Sequence, residues 1–491
     1  MKSKFSKVLS ILLSIVLVIS SFYLLYQVIR LNVLPSKFLF PLTIGVVVLD
    51  AIFILLLIYF SKNVVSKIIC IVLTLFICLA SCMGGYYISK TQGALSNITS
   101  VAKHAKNTVS VIVKESSSIK NKSQLNGISV GSLRLNEQGS KKTLKELSSE
   151  GIVLNQTEYD SMTALLEAFY SGEVDSIIIN ESSRSQILDM EAYSNFDSNT
   201  RVVYQTSYKV KNNDSATSVS DITSKPFNVL ISGSDSRGGF DENGRSDVIM
   251  VATVNPKTHT ILLTSVPRDF YVTTACDAGD GCMQGALDKI THTGIHGTNT
   301  TKRTVEQLLG IEINYTFKVG FDTVTELVDV LGGVDVYVEP GYATTTSEFS
   351  VHEGVNHLNA QQALAFARER YSYTEGDRQR TKNQQQVLMG IVKEATKPSV
   401  ITNYAAIMDT MANTFSTTMS NEEITALIKY QLNNNPTWKM EQYMVDGTGD
   451  TLMCAELGDA ASVMVPDQST VKMAKDKINA VLAGKSSEDV Q

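Results

Sequence analysis

Three apolar runs, 11–29, 38–60 and 64–87, open the chain. Each reaches the roughly 17–25 residues that a bilayer crossing requires. In hydrocarbon the backbone must satisfy its own polar groups, so runs of this length predict a three-helix membrane anchor. Lys2, Lys4 and Lys7 precede the first run, and Lys62 and Lys67 fall between the second and third; the first connection holds Arg30 and Lys37. That distribution predicts a cytoplasmic N-terminus and an extracytoplasmic location for everything after Tyr87. The length of the first run, the lack of a small-residue cleavage site and the two further spans speak against a removable signal peptide.

Roughly 400 residues follow the anchor, enough for two or three domains with substantial cores. The net charge of −6 argues against a general nucleic-acid binder, which presents a basic face. Cys70, Cys78 and Cys82 lie in or at the end of the third run, where they serve as small hydrophobes. Cys276 and Cys282 bracket CDAGDGC, a short span that a disulfide would close in an oxidising compartment, leaving Cys454 unpaired. The nearest histidines, His292 and His296, share no recognised zinc spacing with that pair.

The expected organisation is an anchor over 1–90, an accessory α/β domain and linker over 91–224, and a catalytic domain with a helical extension over 225–491. Residues 88–125, rich in Ser, Lys and Asn with weak helical periodicity around 98–113, read as a stalk or domain edge. From Gly127, GISVGS reads as a strand, KKTLKELSSEG as a helix ending at glycine, and SMTALLEAFYSGEVDSIIIN as helix, turn and strand. Residues 208–225 are polar and read as a linker.

PFNVLISGSDSR, DVIMVATVNP and TILLTSVPRD are each apolar strands with charged residues at one end; TKRTVEQLLGI and DTVTELVDVLGG are amphipathic helices, and VDVYVE is another strand. Strands that are unbroken apolar runs are buried on both faces. The predicted fold is therefore α/β, an α-β-α sandwich beside the small α/β accessory domain and the anchor. Ligand sites in such sheets collect at strand ends.

The charged residues crowd into GSDSRGGFDENGRSDVIM (233–250), SVPRDF (265–270) and ARERYSYTEGDRQRTKNQQQ (367–386). Guanidinium forks match phosphate oxygens and paired carboxylates hold Mg²⁺, so the set Asp235, Asp247, Arg237, Arg245, Arg268, Arg368, Arg370 and Arg380 points to phosphoryl chemistry. Such Arg–Asp pairs also occur as structural ion pairs. Arg380 and Gln384 are four apart and share a helical face. Arg368 and Arg370 are two apart, so both reach one ligand only if the helix ends between them. In an empty site the clustered cations would repel one another, predicting little loss of stability when one is removed.

Taken together, GSDSR, RSDVIMVATVNP, LLTSVPRDFYV, LDKITHTGIHG, FDTVTELVDVLGGVDVYV, LNAQQALAFARER and GDRQRTKNQQQ, over 225–397, make the chain resemble the LytR–CpsA–Psr proteins of Gram-positive bacteria, membrane-anchored glycopolymer ligases of the cell envelope. Three spans and an extra α/β unit resemble the capsule-associated CpsA branch. One departure is RTKNQQQ, where many members read R-x-x-R-Q-Q. Asn383 stands at the second arginine, leaving Lys382 as a poorer substitute.

The resemblance implies transfer of a glycan, capsular or otherwise, from an undecaprenyl-pyrophosphate carrier to the muramic acid C6 hydroxyl of peptidoglycan. It implies Asp235 and Asp247 as ligands of Mg²⁺ or Mn²⁺. Arg268, Arg368, Arg370, Arg380 and Gln384, supported by Arg245, fall at pyrophosphate-contacting positions. Asp235 is the candidate base, with Arg237 supporting it and Asp269 or Asp247 as less favoured alternatives. A polyprenyl chain needs a long apolar slot between sheet and helices. Expected partners are the lipid-linked glycan, peptidoglycan, the membrane and capsule-assembly proteins, with no direct nucleic acid. Two other readings use the same residues or anchor: a polyprenyl-pyrophosphate phosphatase, which gives the phosphate to water, and an envelope-sensing regulator of capsule expression. The leader and the 61–67 connection are too short for a DNA-reading fold, which disfavours direct gene control.

Overall fold

The computed structural model describes residues 2–60, 63–101, 104–134, 137–211, 213–234, 242–277, 280–397 and 400–490. The chain divides into two compact units, one of Met1–Asn97, Ala395–Ala412 and Ser420–Pro436, the other of Ile98–Glu394, Asn413–Met419 and Thr437–Gln491.

In the first unit, α1 (Lys2–Leu31), α2 (Ser36–Leu55) and α3 (Val64–Val101) are each part of a helical stretch long and apolar enough to cross a membrane. Phe22, Phe40 and Phe76 stand exposed on them; in lipid such side chains need no protein cover. Asp50 is buried within α2 and accepts a hydrogen bond from Ser21 Oγ of α1 at 2.9 Å, so this polar group is met by protein where water would be absent. Two further helices, Val400–Thr414 and Asn421–Asn434, reach the anchor through polar contacts. Lys37 Nζ donates to the Asn433 carbonyl, Lys429 Nζ donates to Asn32 Oδ1, both at 2.6 Å, and Lys90 pairs with Asp409 at 2.8 Å. The α1–α2 connection and the C-terminal stretch of α3 therefore share one end of the bundle.

The second unit begins with β1 (His104–Lys114), where the sequence reading had weak helical periodicity. Val109, Val111, Ile112 and Val113 are β-branched and fully buried. A strand covered on both faces shows no alternation to betray it. With β2 (Ser129–Leu133), β3 (Asn155–Tyr159), β4 (Ser176–Asn180) and β5 (Thr200–Lys211), it forms, among the described residues, a five-stranded sheet in the order β3-β2-β4-β1-β5. β5 takes up the first residues of the expected linker. Helices α4 (Glu137–Ser149), α5 (Met162–Ser171) and α6 (Arg184–Asp189) belong to this α/β unit. Ser161 caps α5 by accepting from Ala164 N–H, and Gly172 ends it at φ 86°, a left-handed conformation that costs glycine nothing.

Beside four short strands of two or three residues, the longer or sheet-forming ones that follow among the described residues are β6 (Phe227–Ser234), β7 (Ser246–Asn255), β8 (Thr260–Ser265), β9 (Tyr315–Gly320), β10 (Val334–Val338), β11 (Gly354–Leu358), β12 (Phe415–Thr417), β13 (Lys439–Met444), β14 (Gly447–Cys454) and β15 (Asp459–Pro466). The main sheet runs β12-β9-β6-β7-β8-β13, while β10, the VDVYV strand, pairs with β11 in a small sheet of its own. Helices α7 (Thr298–Leu309), α8 (Phe321–Leu331), α9 (Ala360–Arg368), α10 (Asp377–Ala395) and α11 (Gln468–Leu482) complete the domain.

Side chains two apart share a face of a strand, and the main sheet uses both faces. Leu230, Ile249, Val251 and Leu262 bury against Val305 and Leu309 of α7 and against Ala474 and Ile478 of α11. Ile231, Val248, Met250 and Val319 face Val324 of α8, Leu364 and Ala367 of α9 and Val387, Leu388 and Ile391 of α10. This is the expected α-β-α sandwich. β7 runs antiparallel to both β6 and β8, so the end of β6, the start of β7 and the end of β8 meet at one edge. Cys276 and Cys282 are joined as a disulfide, and Cys454 is a buried free thiol.

Candidate active site

That shared edge is where the charged motifs converge. Asp247 is the second residue of β7, and Arg268 and Asp269 follow β8 by the turn through Pro267. The 3₁₀ run Ile290–His296 lies alongside, its Thr291 N–H donating to the Arg268 carbonyl at 3.0 Å. The run lies close because residue 294 is glycine. A Cβ there would sit 2.4 Å from Ser246 Oγ and 2.5 Å from the Gly244 carbonyl oxygen. Asp235 and Arg237 lie outside the described residues.

Arg268 is the hub. Its Nη1 donates to Asp247 Oδ1 at 2.9 Å, and its Nε lies 3.8 Å from Asp269 Oδ2 and 3.9 Å from Asp377 Oδ1. Asp377 also pairs with Arg380 one turn along α10, and Asp269 with Lys289 Nζ at 3.1 Å. Thr291 Oγ1 donates to Asp247 at 3.3 Å, and Arg245 pairs with Asp189 of α6. The cations are therefore interleaved with carboxylates, which corrects the expectation of a self-repelling arginine cluster. Asp377, Lys289 and Thr291 were missed by the sequence reading. The signal for Asp377 was present in GDRQR, because three residues before Arg380 is one helical turn.

Charge is nevertheless left over. Burial alone would raise the Asp247 carboxyl, yet Arg245, Arg268 and Arg380 hold it below the ordinary carboxylate range, so it is ionised. Burial and then the facing Arg268 push the Arg380 guanidinium down from its usual value despite Asp377. The Nε–H groups of Arg268 and Arg380 are buried without a hydrogen-bond acceptor among the described residues. Orphaned donors on crowded cations are what an anion would satisfy.

Other expected site residues divide. Helix α9 ends at Arg368, and Glu369 turns extended, so Arg370 is carried by the segment beyond. Arg370 lines the open cleft above Arg268 and Asp269, its guanidinium 4.7 Å from the Tyr371 ring centroid. Arg368 is exposed at the helix end and lines neither that cleft nor the apolar slot. Gln384 lines the slot, one turn along α10 from Arg380. Asn383, 1% exposed, accepts from Gln379 Nε2 and donates to the Phe366 carbonyl, bracing α10 on α9. Lys382 does not substitute for the missing arginine; it lies 3.5 Å from Glu339 and over the Tyr342 ring. His292 and His296 pair with Asp288 and Glu456 at 2.7 and 3.0 Å.

Among the described residues no three carboxylates, imidazoles or thiols cluster as a ready metal cage. Mg²⁺, however, is commonly held by one or two carboxylates with water and substrate phosphates. Ionised Asp247 fits that donor chemistry.

The slot between the sheet and α8–α10 is lined almost wholly by apolar side chains, from Gly233 and Ser234 at the charged edge to Ile391. Along one face of α10 stand Arg380, Gln384, Val387, Leu388 and Ile391, polar at the helix start and apolar beyond. Fold and site together define an α/β domain whose charged cluster adjoins an apolar slot, on a chain that carries three helices long and apolar enough to cross a membrane. A model described as the LytR_cpsA_psr family matches residues 192–480, and the chain belongs to that family. It is 31% identical over 236 residues, 48% of this chain and 74% of the relative, to a Bacillus cereus protein named polyisoprenyl-teichoic acid–peptidoglycan teichoic acid transferase TagU. The Bacillus subtilis protein of the same name is 35% identical over 196 residues, 40% of this chain and 60% of that one. The crystal structure of Bacillus subtilis TagU aligns at 28% identity with a TM-score of 0.41, covering 52% of this chain and 97% of that one.

Proposed function

We propose that the chain is an anchored transferase that moves a glycopolymer from a polyprenyl-pyrophosphate carrier to peptidoglycan outside the cell. The observation that carries this is the continuity of the buried arginine cluster with the apolar slot along α10, a shape for a phosphate head and a hydrocarbon tail. The names of its relatives support the same reaction class. The finer reading takes undecaprenyl as the carrier and a capsular polysaccharide as the glycan. The slot holds about 80 Å³, room for part of a polyprenyl chain.

In the reaction the acceptor hydroxyl oxygen attacks the sugar-bearing phosphorus. The bond from that phosphorus to the bridging oxygen breaks, and polyprenyl phosphate leaves with the electron pair. Arg268, Arg370 and Arg380 stabilise the charge that develops on the leaving phosphate. Asp269 lines the open cleft, whereas Asp247 is buried against Arg268 and Thr291; of the two, Asp269 is the better placed to take the acceptor proton. A bound Mg²⁺ or Mn²⁺, held by Asp247 and Asp235, would neutralise part of the diphosphate charge.

The test is a transfer assay with the full chain, lipid-linked glycan and peptidoglycan, with the products separated. A phosphodiester-linked glycan on peptidoglycan is expected, with at least a hundredfold loss in Asp247→Asn. Glycan phosphate released only into water would replace this reading with the phosphatase one. The orientation is checked separately: a periplasmic-type reporter fused after Gln491 should be active only outside the cytoplasm, and a signal from the cytoplasmic side would remove the substrate from reach.

A further inference from the structure

The pyrophosphate-facing residues do not fill the cleft they open into. That cleft encloses about 860 Å³, and its floor includes Arg268, Asp269 and Arg370. Pockets of roughly 300–1,000 Å³ bury whole small ligands, so there is room beside a diphosphate for a ring. One wall comes from the accessory domain, through α5, α6 and the turn after it, and the other from the β14–β15 hairpin. Asp189, at the end of α6, pairs with Arg245, which ties that wall to the charged edge.

Gln186 on α6 singles the wall out. It lines the cleft, is 2% exposed, and both its Nε2 and Oε1 are without a hydrogen-bond partner among the described residues. Leaving a buried amide unmet at both ends is costly, and a native protein that does so needs a reason. Nearby, Tyr193 is stacked on Tyr170, with centroids 5.4 Å apart and rings 23° from parallel. Glu167 and Asp459 line the same cleft as Tyr193, and after burial their charges raise its hydroxyl above the ordinary value. An amide that both donates and accepts, carboxylates that accept and an aromatic ring match a hydroxyl-rich sugar. The same carboxylates oppose a second phosphate at that position.

Resting on the transferase reading above, we infer that the accessory domain forms a sugar subsite in this cleft. Gln186, Tyr193, Glu167 and Asp459 there receive an uncharged, hydroxyl-rich ring next to the phosphate. Glu167 and Gln186 precede the family match, which begins at residue 192, whereas Tyr193 and Asp459 lie within it, so the subsite joins accessory residues to the shared domain. The sugar belongs either to the carrier-linked glycan or to the acceptor strand.

The test measures binding by calorimetry to the full chain in detergent, with three probes: a short polyprenyl pyrophosphate, the same lipid bearing one N-acetylglucosamine, and an N-acetylglucosaminyl-N-acetylmuramic acid disaccharide. Gln186→Leu removes an amide that has no partner, so its melting temperature should equal or exceed that of the parent. It should lose about tenfold in affinity for a sugar-bearing probe and nothing for the bare pyrophosphate. Loss confined to the glycolipid assigns the subsite to the donor; loss confined to the disaccharide assigns it to the acceptor. Unchanged affinity for both sugar-bearing probes overturns the subsite while leaving the pyrophosphate reading intact. If the parent binds no bare pyrophosphate but Gln186→Leu still weakens the disaccharide, the subsite stands and the carrier reading falls. Should Gln186→Leu fail to fold, Tyr193→Ala at the half-buried rim carries the same expectations for affinity.

Discussion

Arg268→Ala is expected to lose at least a hundredfold in glycan transfer and, unlike Arg370→Ala, to melt well below the parent. The side chain is 16% exposed and its partner Asp247 is 11% exposed. Removing it strips Asp247 of its direct ion-pair partner and loosens the tie to Asp269 and Asp377, and breaking such a buried pair costs about 3–5 kcal/mol. The loss of transfer adds a missing stabiliser of the leaving phosphate. Arg370→Ala makes the contrast. It stacks on an exposed Tyr371 and donates to the tyrosine hydroxyl at 2.6 Å, so it should melt normally and lose roughly tenfold in rate for one charge-assisted contact. Thermal melts beside transfer assays on the two variants decide the matter. Parental melting for Arg268→Ala would mean that Asp247 is compensated by groups other than this arginine, and parental transfer would take the cluster out of the reaction.

Ala367→Leu should abolish retention of polyprenyl lipid and lower transfer by about two orders of magnitude while leaving the protein folded. Ala367 lines the slot from α9, opposite Ile231, Val248 and Met250 of the sheet. Three added carbons occupy the small space available, at an overpacking cost of about 1–3 kcal/mol if the helices do not yield. The arginine cluster stays intact, so binding of a short, soluble pyrophosphate should survive. Solvent extraction followed by mass spectrometry of parent and variant reads the lipid directly. Equal amounts of polyprenyl phosphate in both would place the hydrocarbon elsewhere and remove the slot from the mechanism.

The apolar strands and the membrane helices were legible in the sequence because burial writes a pattern: long apolar runs, and helices closed by Gly310 and Gly332 in left-handed conformations. β1 was missed because its neighbours cover both faces. For the site, motif and spacing recovered Asp247, Arg268, Arg370, Arg380 and Gln384 as residues of the cluster and slot. They named a helix end between Arg368 and Arg370 as the condition for both to reach one ligand; the helix does end there, yet Arg368 stays out of the cleft. Pairing between segments was not legible. Nothing in SVPRDF says that Arg268 will be shared among three carboxylates from three segments, or that Lys289 will take Asp269. Ion pairs between distant segments depend on how the sheet edge assembles, and no local period reports them. Lys382 failed as a stand-in for an arginine for the same reason: one position along α10 turns a side chain by about 100°, here toward Glu339.

The ordering of side chains along α10 has a consequence for how such a protein can vary. From Arg380 to Ile391 the helix rises about 16 Å, and over that distance it passes from the charged cluster to the apolar end of the slot. An inserted or deleted residue between Gln384 and Val387 would swing the two ends out of register, so head and tail recognition are inherited as one piece and the length of this segment is closed to change. The accessory wall, contributed by α5, α6 and the turn after it and joined to the charged edge through Asp189 and Arg245, carries no such restriction. Diversification among chains of this build should accumulate in the wall that meets the sugar, while the rod that meets the lipid keeps its length.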